Sequence, residues 1–462
     1  MTLNGRVPSA APRRLLDRLT LTPVRVVALS FAAAIIVGTA LLLLPAAAAP
    51  GQSTTVTSAL FTATSAVSLT GLIVEDTPVH WSGFGHGVIV ALIQVGGLGI
   101  MTLASLVGLL LANRIGLKAR MNTTAEARTS DIGNVRDVVL GVVRLSLGIE
   151  ALIAVALTAR FAVGYDEPLP RAVWLGVFHA VSAFNNAGFA LYSNNMVGFA
   201  TDPWICVPLM TAVVLGGIGF PVLFEVGRRL RPAARGRGWR RWSLHTRLVV
   251  GTTAGLIVTG FSSVLALEWR HTLQGFGVAD KLLVAAFQGI MPRTAGFNSV
   301  DYAQMDEATL LVTDVLMFIG GGSGGTAGGI KVTTFAVLLF IILAEVRGEK
   351  SVRILDRRID TRVQRQALAI VLIGVGLVIS STIVLIAGTP FGLNELLFEV
   401  TSAFATAGLS TGITAQLPHW GQWVLILLMY LGRIGPITMV TALAARQRIR
   451  RYDLPTERPL IG

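Results

Sequence analysis

The sequence predicts an all-α integral membrane protein made of four repeated modules. Apolar residues make up 53% of the 462 residues, charged residues make up 14%, and the mean hydropathy is +0.69. Soluble domains carry about 25% charged residues, so this composition excludes an ordinary soluble domain. A short phrase centred on a glycine turn recurs four times, at intervals of 108 to 117 residues. This interval is too long for a solenoid and fits a small membrane module in four copies.

The Lys and Arg residues predict the topology. Most of the 38 fall in five segments, at 1–25, 113–136, 228–247, 347–365 and 446–458. By the positive-inside rule these segments face the cytoplasm, and the two termini with them. The four blocks between them must each cross the membrane an even number of times. We therefore expect a multi-pass cell-membrane protein with a cytoplasmic segment at 1–25, repeats at 26–112, 137–227, 248–346 and 366–445, and a cytoplasmic tail at 446–462.

Each block contains two apolar stretches long enough to cross a bilayer, since a helix needs about 20 residues to span about 30 Å of hydrocarbon. The eight predicted spans are near 26–45, 86–111, 138–162, 204–226, 248–268, 311–345, 367–388 and 421–444. Between the two spans of each block lies a shorter helical stretch, near 57–69, 172–185, 279–291 and 394–404. These stretches are predicted to be re-entrant pore helices (P) between two membrane helices (M1 and M2). The alternative for residues 24–50, a signal peptide, would need a shorter apolar core and would remove the first helix of the first module.

Each short helix runs into a phrase centred on glycine. The copies are SAVSLTGL (65–72), SAFNNAGF (182–189), IMPRTAGFN (290–298) and SAFATAGLS (402–410). Glycine adopts positive φ and carries no side chain, so consecutive carbonyls can face one axis. Non-helical backbone at membrane depth occurs only where it lines a cavity or is buried in protein. Four such turns around one central pore would form a ring of carbonyls, which is how a selectivity filter replaces the water around a cation.

The candidate ion-binding residues are four consecutive residues in each copy. They are Ser68, Leu69, Thr70 and Gly71; Asn185, Asn186, Ala187 and Gly188; Arg293, Thr294, Ala295 and Gly296; and Ala405, Thr406, Ala407 and Gly408. The alternative is that these glycines serve helix packing alone, as many glycines in membrane helices do. Packing alone does not account for their matching positions in all four modules.

A glycine-rich stretch, GGGSGGTAGGIK at 320–331, interrupts the second span of the third module. It is not a nucleotide-binding P-loop, because no Ser or Thr follows the lysine and no strand precedes it. A helix broken at mid-membrane predicts a mobile gating loop at 320–330 beneath the filter. The alternative is a simple kink or a close-packing site. The candidate gate residues are Gly320, Gly321, Gly322, Ser323, Gly324, Gly325, Thr326, Gly328, Gly329, Lys331 and Arg433.

Two of these gate residues, Lys331 and Arg433, are cations inside predicted spans. A charge at that depth normally faces the interior of the helix bundle and has a partner. The carbonyls freed by the broken helix at 320–329 are candidate partners of Arg433, and a structural carboxylate such as Glu399 is the alternative. Glu399 itself lies in the fourth pore helix, where we expect it to hold the neighbouring turn and not to bind the ion.

The remaining charges and motifs narrow the choice of partners. The net charge of +13 follows from the cytoplasmic segments and gives little support for nucleic-acid binding. The densest basic run, RRLRPAARGRGWRR at 228–241, is either a topology anchor on anionic membrane lipid or a docking site for an acidic cytosolic partner. The single cysteine excludes a disulfide within the chain, and the six histidines are too scattered for a metal site. The sequence has no strand–GxGxxG–helix unit, so we expect no nucleotide to bind this chain itself.

These motifs resemble the membrane subunit of the Trk/Ktr/HKT superfamily of potassium transporters, from about residue 26 to residue 445. The most specific elements are the four filter phrases, GGSGGTAGGIK, the QVGGLGIMT turn at 94–102 and GRIGPIT at 432–438. Eight spans without an extra N-terminal pair are similar to the Ktr branch (KtrB-like). Family filters with serine in place of the first glycine admit sodium, so Gly71 implies a preference for potassium. Ser68, Asn185 and Asn186 depart from the Thr-rich potassium-channel sequence, which implies looser selectivity than in a true channel.

The resemblance implies potassium uptake through a channel-like subunit that is not an enzyme, driven by the membrane potential. K⁺ is the expected transported ion, with Na⁺ as the alternative. It also implies a homodimer with one pore in each protomer, seated on a ring of nucleotide-binding cytosolic subunits (RCK, KtrA-type). The first rival is a Na⁺- or H⁺-coupled K⁺ symporter, which would need acidic residues along the path, and the filter phrases contain none. The second rival is a membrane enzyme, which would need a nucleophile or an acid–base set that the sequence does not show.

Overall fold

The computed structural model describes residues 23–120, 135–230 and 242–445. The predicted tail at 446–462, nearly all of the N-terminal segment 1–25, residues 121–134 and most of the basic run at 228–241 lie outside the described residues. The helices are α1 (Pro23–Leu42), α2 (Val56–Ser68), α3 (Thr77–His80), α4 (Gly83–Arg120), α5 (Val135–Gly164), α6 (Leu169–Phe184), α7 (Pro203–Ile218), α8 (Phe220–Leu230), α9 (Leu244–Glu268), α10 (Val278–Ile290), α11 (Glu307–Phe318), α12 (Val332–Val346), α13 (Thr361–Gly388), α14 (Leu393–Ala405) and α15 (His419–Ala445).

The four predicted short helices are present as α2, α6, α10 and α14. Local chemistry sets their limits. Helix α2 begins where the Thr55 hydroxyl accepts a hydrogen bond from Ser58 N at 3.1 Å, which satisfies one of the free N–H groups of the first turn. Leu69 follows α2 and Thr406 follows α14, and both of these residues are left-handed, with φ of 59° and 50°. A left-handed residue after the last turn ends a helix, so the first and fourth filter phrases themselves terminate α2 and α14.

The helices form a closed ring of four groups. Helix α2 packs against α1 and α4, α6 against α5 and α7, α10 against α9, and α14 against α13 and α15. The groups meet their neighbours through the pairs α4–α5, α7–α10, α11–α14 and α15–α2. The last pair joins the end of the chain to its beginning. The four short helices therefore come from four neighbouring groups that surround a common centre.

The long outer helices have the surface of a protein that contacts lipid. Exposed apolar side chains follow α13 along its length, among them Leu368, Leu372, Ile379 and Ile383. An exposed apolar surface of this extent marks a membrane or a protein contact. In contrast, the last turns of α2, α6 and α14 are buried on every side.

Within the described residues, three helices are long and apolar enough to cross a membrane, at Asp137–Gly164, Leu244–Glu268 and Thr361–Gly388. The pair Pro203–Ile218 and Phe220–Arg229 makes a fourth if the two helices count as one span. These four correspond to the predicted spans 138–162, 248–268, 367–388 and 204–226. The other four predicted spans, on α1, α4, the pair α11–α12 and α15, stay predictions.

The structure differs from the sequence-based prediction at three places. The span 204–226 is not one straight helix but bends by 103° at Gly219, whose φ of 98° is one that glycine alone adopts without strain. The predicted QVGGLGIMT turn at 94–102 lies inside the continuous helix α4. The segment at 347–365 contains a small antiparallel hairpin of β1 (Arg353–Ile354) and β2 (Arg357–Arg358), with Ile354 buried against α12.

Candidate functional site

The four filter phrases share one backbone conformation. In each phrase the residue two places before the glycine and the glycine itself are both left-handed. The pairs, with φ in degrees, are Leu69 (59) and Gly71 (93), Asn186 (55) and Gly188 (74), Thr294 (66) and Gly296 (75), and Thr406 (50) and Gly408 (83). A left-handed residue other than glycine costs about 1–2 kcal/mol, so four such residues at equivalent places mark a constrained functional segment.

The four glycines lie against one another in a closed cycle. A Cβ atom added to Gly71 would lie 2.5 Å from the carbonyl oxygen of Ala187, and one added to Gly188 would lie 3.0 Å from that of Ala295. At Gly296 the added atom would lie 3.0 Å from the carbonyl oxygen of Ala407, and at Gly408 it would overlap that of Thr70. Each glycine therefore faces the carbonyl that precedes the glycine of the next copy. The fourth copy leads back to the first.

The four carbonyls of this cycle, those of Thr70, Ala187, Ala295 and Ala407, accept no hydrogen bond from any residue that the structure describes. Buried carbonyls are normally paired, because an unpaired buried polar group loses the hydrogen bonds it made to water. Four unpaired carbonyls around one centre form a site that a cation can complete. Side-chain oxygens are not needed for this ring.

The side chains at the first of the four candidate positions serve as supports. The Ser68 hydroxyl donates to the Thr64 carbonyl at 2.6 Å, and Asn185 donates to groups on neighbouring helices. The Arg293 guanidinium, which is 5% exposed, donates to the carbonyl and hydroxyl of Thr253 at 3.3 Å each and to Gly320 O at 3.4 Å. The guanidinium of Arg293 therefore bonds α9 and the glycine-rich loop. Only its main-chain carbonyl is left as a group that could face a cation.

The glycine-rich loop, residues 319–331, lies directly beneath three of the four phrases. The Thr326 hydroxyl donates to the Phe184 carbonyl at 3.1 Å and lies 3.1 Å from the side-chain amide of Asn186, in the second phrase. Gly328 N donates to the Thr294 hydroxyl, in the third phrase, at 2.9 Å. A Cβ atom on Gly328 would overlap the hydroxyl of Thr406, in the fourth phrase. The loop therefore contacts the second, third and fourth phrases.

The loop is also joined to the bend between α7 and α8. Gly322 N donates to Gly217 O at 2.7 Å, and Phe220 N donates to Gly324 O at 3.3 Å. A Cβ atom on Gly219 would lie 2.7 Å from Ser323 O. The glycines on both sides let two backbones approach more closely than side chains would permit. The bend at Gly219 and the course of the loop are consequently parts of one contact.

The two cations of the predicted spans, Lys331 and Arg433, both bond to carbonyls of the loop. Arg433 is 4% exposed, and its Nη1 donates to Thr326 O at 2.6 Å. Its Nε and Nη2 find no hydrogen-bond partner among the described residues. The Lys331 ammonium donates to Ala327 O at 2.6 Å. Arg433, from α15, therefore ties the last helix group to the loop of the third group.

Glu399 does not pair with Arg433 in the described structure. Its carboxylate accepts hydrogen bonds from the Ser410 hydroxyl, from Thr411 N at 3.2 Å and from the Thr414 hydroxyl at 2.9 Å. Ser410 is the last residue of the fourth phrase, and the other two donors lie in the segment that follows it. The geometry matches the expectation that Glu399 holds the neighbouring turn.

Two residues at the site were not among the sequence-based candidates. Glu150, on α5, is 4% exposed and bonds to Gln94, on α4, and to Asn185 in the second phrase. An ionisable residue inside an apolar span marks a functional position, and this signal was available in the sequence. The contacts of Glu150 and Gln94 with Asn185 could not be predicted from the sequence, because they join two helices, α5 and α4, to the turn after a third, α6.

A ring of helix groups around four strained, carbonyl-rich turns, with an apolar outer surface, defines a multi-pass membrane protein of the transporter class. Comparison with known proteins identifies the family. The model of the TrkH family, described as a cation transport protein, matches residues 22–449. The chain therefore belongs to the TrkH family of cation transport proteins, and its similarities below place it in the Ktr branch. This is a family of transporters and not of enzymes.

Among its relatives is the Ktr system potassium uptake protein B of Bacillus subtilis, which is 38% identical over 92% of this chain and 94% of its own length. The Ktr system potassium uptake protein D of the same organism is 35% identical over 96% of this chain and 98% of its own length. The potassium/sodium uptake protein NtpJ of Enterococcus hirae is 33% identical over 96% of this chain and 98% of its own length. The crystal structure of the potassium transporter TrkH from Vibrio parahaemolyticus shares the fold, with a TM-score of 0.73, 19% identity, and coverage of 93% of this chain and 86% of the other.

Proposed function

We propose that this chain is the membrane subunit of a potassium uptake system. It would contain four M1–P–M2 modules, at 26–112, 137–227, 248–346 and 366–445, around one central pore, with both termini in the cytoplasm. Family membership, the names of the Bacillus relatives and the closed ring of helix groups support this proposal. The basic segments between the modules support the orientation.

The observation that carries the proposal is the cycle of four glycines with their unpaired carbonyls. A dehydrated K⁺ ion would be bound by main-chain carbonyls of the residues 68–71, 185–188, 293–296 and 405–408. The short helices end at this ring, and the partial negative charge at a helix C-terminus favours a cation there. The driving force is the membrane potential, which supplies about 2.3 kcal/mol for each charge at about 100 mV.

The glycine-rich loop is proposed as the gate of this pore. It lies against three of the four filter phrases, and Arg433 bonds it from a helix of another module. Seven of its residues are glycines, and glycine has the widest choice of backbone conformations. Displacement of the loop would open the path from the filter to the cytoplasm.

Two partner proposals follow from the resemblance and not from the coordinates. The subunit would be a homodimer with a pore in each protomer, and it would bind a ring of nucleotide-binding cytosolic subunits. The relatives' designation as parts of a Ktr system supports a second subunit. In this arrangement the basic surfaces at 228–241 and 347–365 would face the ring.

A Na⁺- or H⁺-coupled K⁺ symporter is the second candidate function, favoured by the similarity to a potassium/sodium uptake protein. Net K⁺ flux into proteoliposomes at a fixed voltage distinguishes the two mechanisms. In a uniport K⁺ moves only down its own electrochemical gradient, whatever the Na⁺ or H⁺ gradient. Net K⁺ movement against that gradient, driven by a gradient of Na⁺ or H⁺, establishes coupled transport.

The filter proposal is tested by the substitution Gly71→Ser, with Gly51→Ser as its control. Both glycines are left-handed, with φ of 93° and 84°, so the backbone strain of the two substitutions is similar. A Cβ atom at Gly51 meets nothing within 4 Å, whereas one at Gly71 meets the Ala187 carbonyl at 2.5 Å. We expect the Gly51 variant to keep wild-type Rb⁺ and K⁺ uptake. The Gly71 variant should lose at least about tenfold in apparent K⁺ affinity or in K⁺/Na⁺ preference, a difference of about 1.4 kcal/mol.

The assay is ion uptake in cells that lack their own potassium transport, with the amount of each variant in the membrane measured in parallel. Wild-type affinity and preference in the Gly71 variant would contradict the filter assignment. Failure of the wild-type chain to move K⁺, alone or with its cytosolic subunit, would contradict the proposed function as a whole.

A further inference from the structure

Beside the second filter phrase, a buried carboxylate on α5 contacts the side chain with which that phrase begins. Glu150 is 4% exposed and lies within the apolar span Asp137–Gly164. Its Oε1 accepts from Asn185 Nδ2 at 3.0 Å, and Gln94 Nε2 lies 3.3 and 3.2 Å from its two oxygens. A carboxylate in an apolar span is unfavourable unless hydrogen-bond donors are held against it. Here both donors are side-chain amides, and one of them belongs to the filter.

The NH₂ group of the Asn185 side chain is fully engaged by this cluster. Besides Glu150, its Nδ2 approaches Gln94 Oε1 at 3.1 Å and Val181 O at 2.9 Å. Three acceptors around one atom identify that atom as the NH₂ group, because an oxygen there would face only other oxygens. Asn185 Oδ1 has no donor among the described residues. The orientation of the Asn185 side chain is therefore set by Glu150, Gln94 and Val181.

The glycine pair in the 94–102 motif lets Gln94 reach this position. A Cβ atom on Gly96 would overlap the carbonyl oxygen of Val67, near the end of α2, and one on Gly97 would overlap Asn185 Oδ1. Helix α4 thus lies directly on the first pore helix and on the second filter phrase, with only glycine backbone between them. The motif that the sequence suggested to be a turn serves a close helix contact next to Glu150.

The cluster is confined to one of the four phrases. The residues equivalent to Asn185 are Ser68, Arg293 and Ala405. Ser68 bonds its own helix and the Thr70 hydroxyl, Arg293 bonds α9 and the glycine-rich loop, and alanine has no polar side chain. A carboxylate supports only the second phrase through this position.

We propose that Glu150 is a positioning residue that, with Gln94, holds the Asn185 side chain and thereby sets the K⁺ over Na⁺ discrimination of the filter. The inference rests on the proposed function. Glu150 would not bind the ion. It would fix the first residue of the second phrase, so that the carbonyl of Ala187 keeps the distance from the axis that suits K⁺ and not the smaller Na⁺. Release of the Asn185 amide would let this carbonyl move and would relax the discrimination.

The test compares Glu150→Leu with Glu150→Gln in proteoliposomes. Leucine fills the space and suits an apolar span but offers no acceptor, whereas glutamine keeps the length and one oxygen for Asn185 Nδ2. The K⁺/Na⁺ permeability ratio is measured from the reversal potential with K⁺ on one side and Na⁺ on the other. We expect the ratio to fall at least about tenfold in Glu150→Leu, and to recover most of that loss in Glu150→Gln, in line with the strength of hydrogen bonds to charged groups. Arg144→Leu, which removes an exposed charge from the same helix, should keep the wild-type ratio.

A merely structural role predicts a different pattern, in which the variants lower the amount of folded protein but each folded molecule keeps the wild-type ratio. That result would overturn the inference. If Glu150→Leu yields no folded protein, Gln94→Leu decides, since it leaves the carboxylate and removes its second amide partner. A lowered ratio in this variant supports the inference, and an unchanged ratio overturns it. If the wild-type chain transports K⁺ and the Glu150 and Gln94 variants keep its K⁺/Na⁺ permeability ratio, the inference is overturned. The proposed function would still stand in that case.

Discussion

Replacement of Arg433 by alanine tests the gating loop at its most direct contact with another module. The hydrogen bond from Arg433 Nη1 to Thr326 O measures 2.6 Å, and the arginine is 4% exposed. A hydrogen bond to a charged group contributes about 1.5–3 kcal/mol. If this bond holds the loop beneath the filter, its loss shifts the ratio of open to closed loop by about 10- to 150-fold, since about 1.4 kcal/mol is a factor of ten. We therefore expect K⁺ flux per folded molecule to rise by at least about tenfold wherever the closed loop limits transport.

The charge of Arg433 has a second effect that must be separated from the bond. A cation beside the path repels K⁺, so its removal can raise the flux even if the loop does not move. Glutamine at position 433 removes the charge but keeps an N–H donor for the Thr326 carbonyl. If the hydrogen bond to Thr326 O holds the loop closed, Arg433→Gln should have a flux near wild type and Arg433→Ala a high flux. If the charge acts only by repelling K⁺, both variants should have equally high flux. The assay is K⁺ flux through proteoliposomes at equal amounts of folded protein. A flux that falls or stays unchanged in Arg433→Ala would show that this hydrogen bond does not hold the loop closed, and would identify the arginine as a structural residue.

Three further expectations concern the residues around the loop and its regulation. Thr326→Val is nearly isosteric and removes the hydroxyl that bonds the Phe184 carbonyl, so flux should rise by the equivalent of one neutral hydrogen bond, about 0.5–1.5 kcal/mol, with Thr382→Val, whose hydroxyl bonds within α13, as the hydroxyl-deletion control. Glu399→Gln should lower stability by about 1–3 kcal/mol, read as a lower melting temperature in detergent, because it disturbs the three bonds from Ser410, Thr411 and Thr414. ATP or ADP should alter transport only with a separate soluble subunit, and neutral residues at Arg235, Arg237, Arg240 and Arg241 should weaken that response without loss of basal conduction; a nucleotide response of the purified chain alone would contradict this.

The short helices and their turns could be predicted from the sequence because their causes are local. An apolar stretch too short to span, followed by a glycine, determines where the helix ends, and the left-handed φ of Gly71 and its three equivalents agrees with that argument. What the glycines contact could not be predicted in the same way. The cycle that links them joins residues more than one hundred positions apart, and nothing in the local sequence encodes that proximity.

The errors arose where glycine has more than one use. Gly219 bends a span by 103°, yet Gly216 and Gly217 just before it remain helical. Gly96 and Gly97 suggested a turn but lie inside α4, where they allow close packing against Val67 and Asn185. Composition alone cannot separate these cases, since each depends on the sign of φ and on the partner that approaches. Glu150 is different, because its charge in an apolar span was visible and only its partners were hidden.

The backbone of the filter is nearly the same in all four copies, while its supports differ in each. The left-handed pairs and the glycine cycle repeat four times, and a ring of equivalent carbonyls suits a spherical ion. The supports do not repeat, because a serine, an asparagine, an arginine and an alanine precede the four turns. A single loop cannot meet four identical surfaces: it comes from one module and contacts the second, third and fourth phrases through different atoms. The asymmetry of the side chains is therefore what a symmetric pore needs if one loop from one module is to close it.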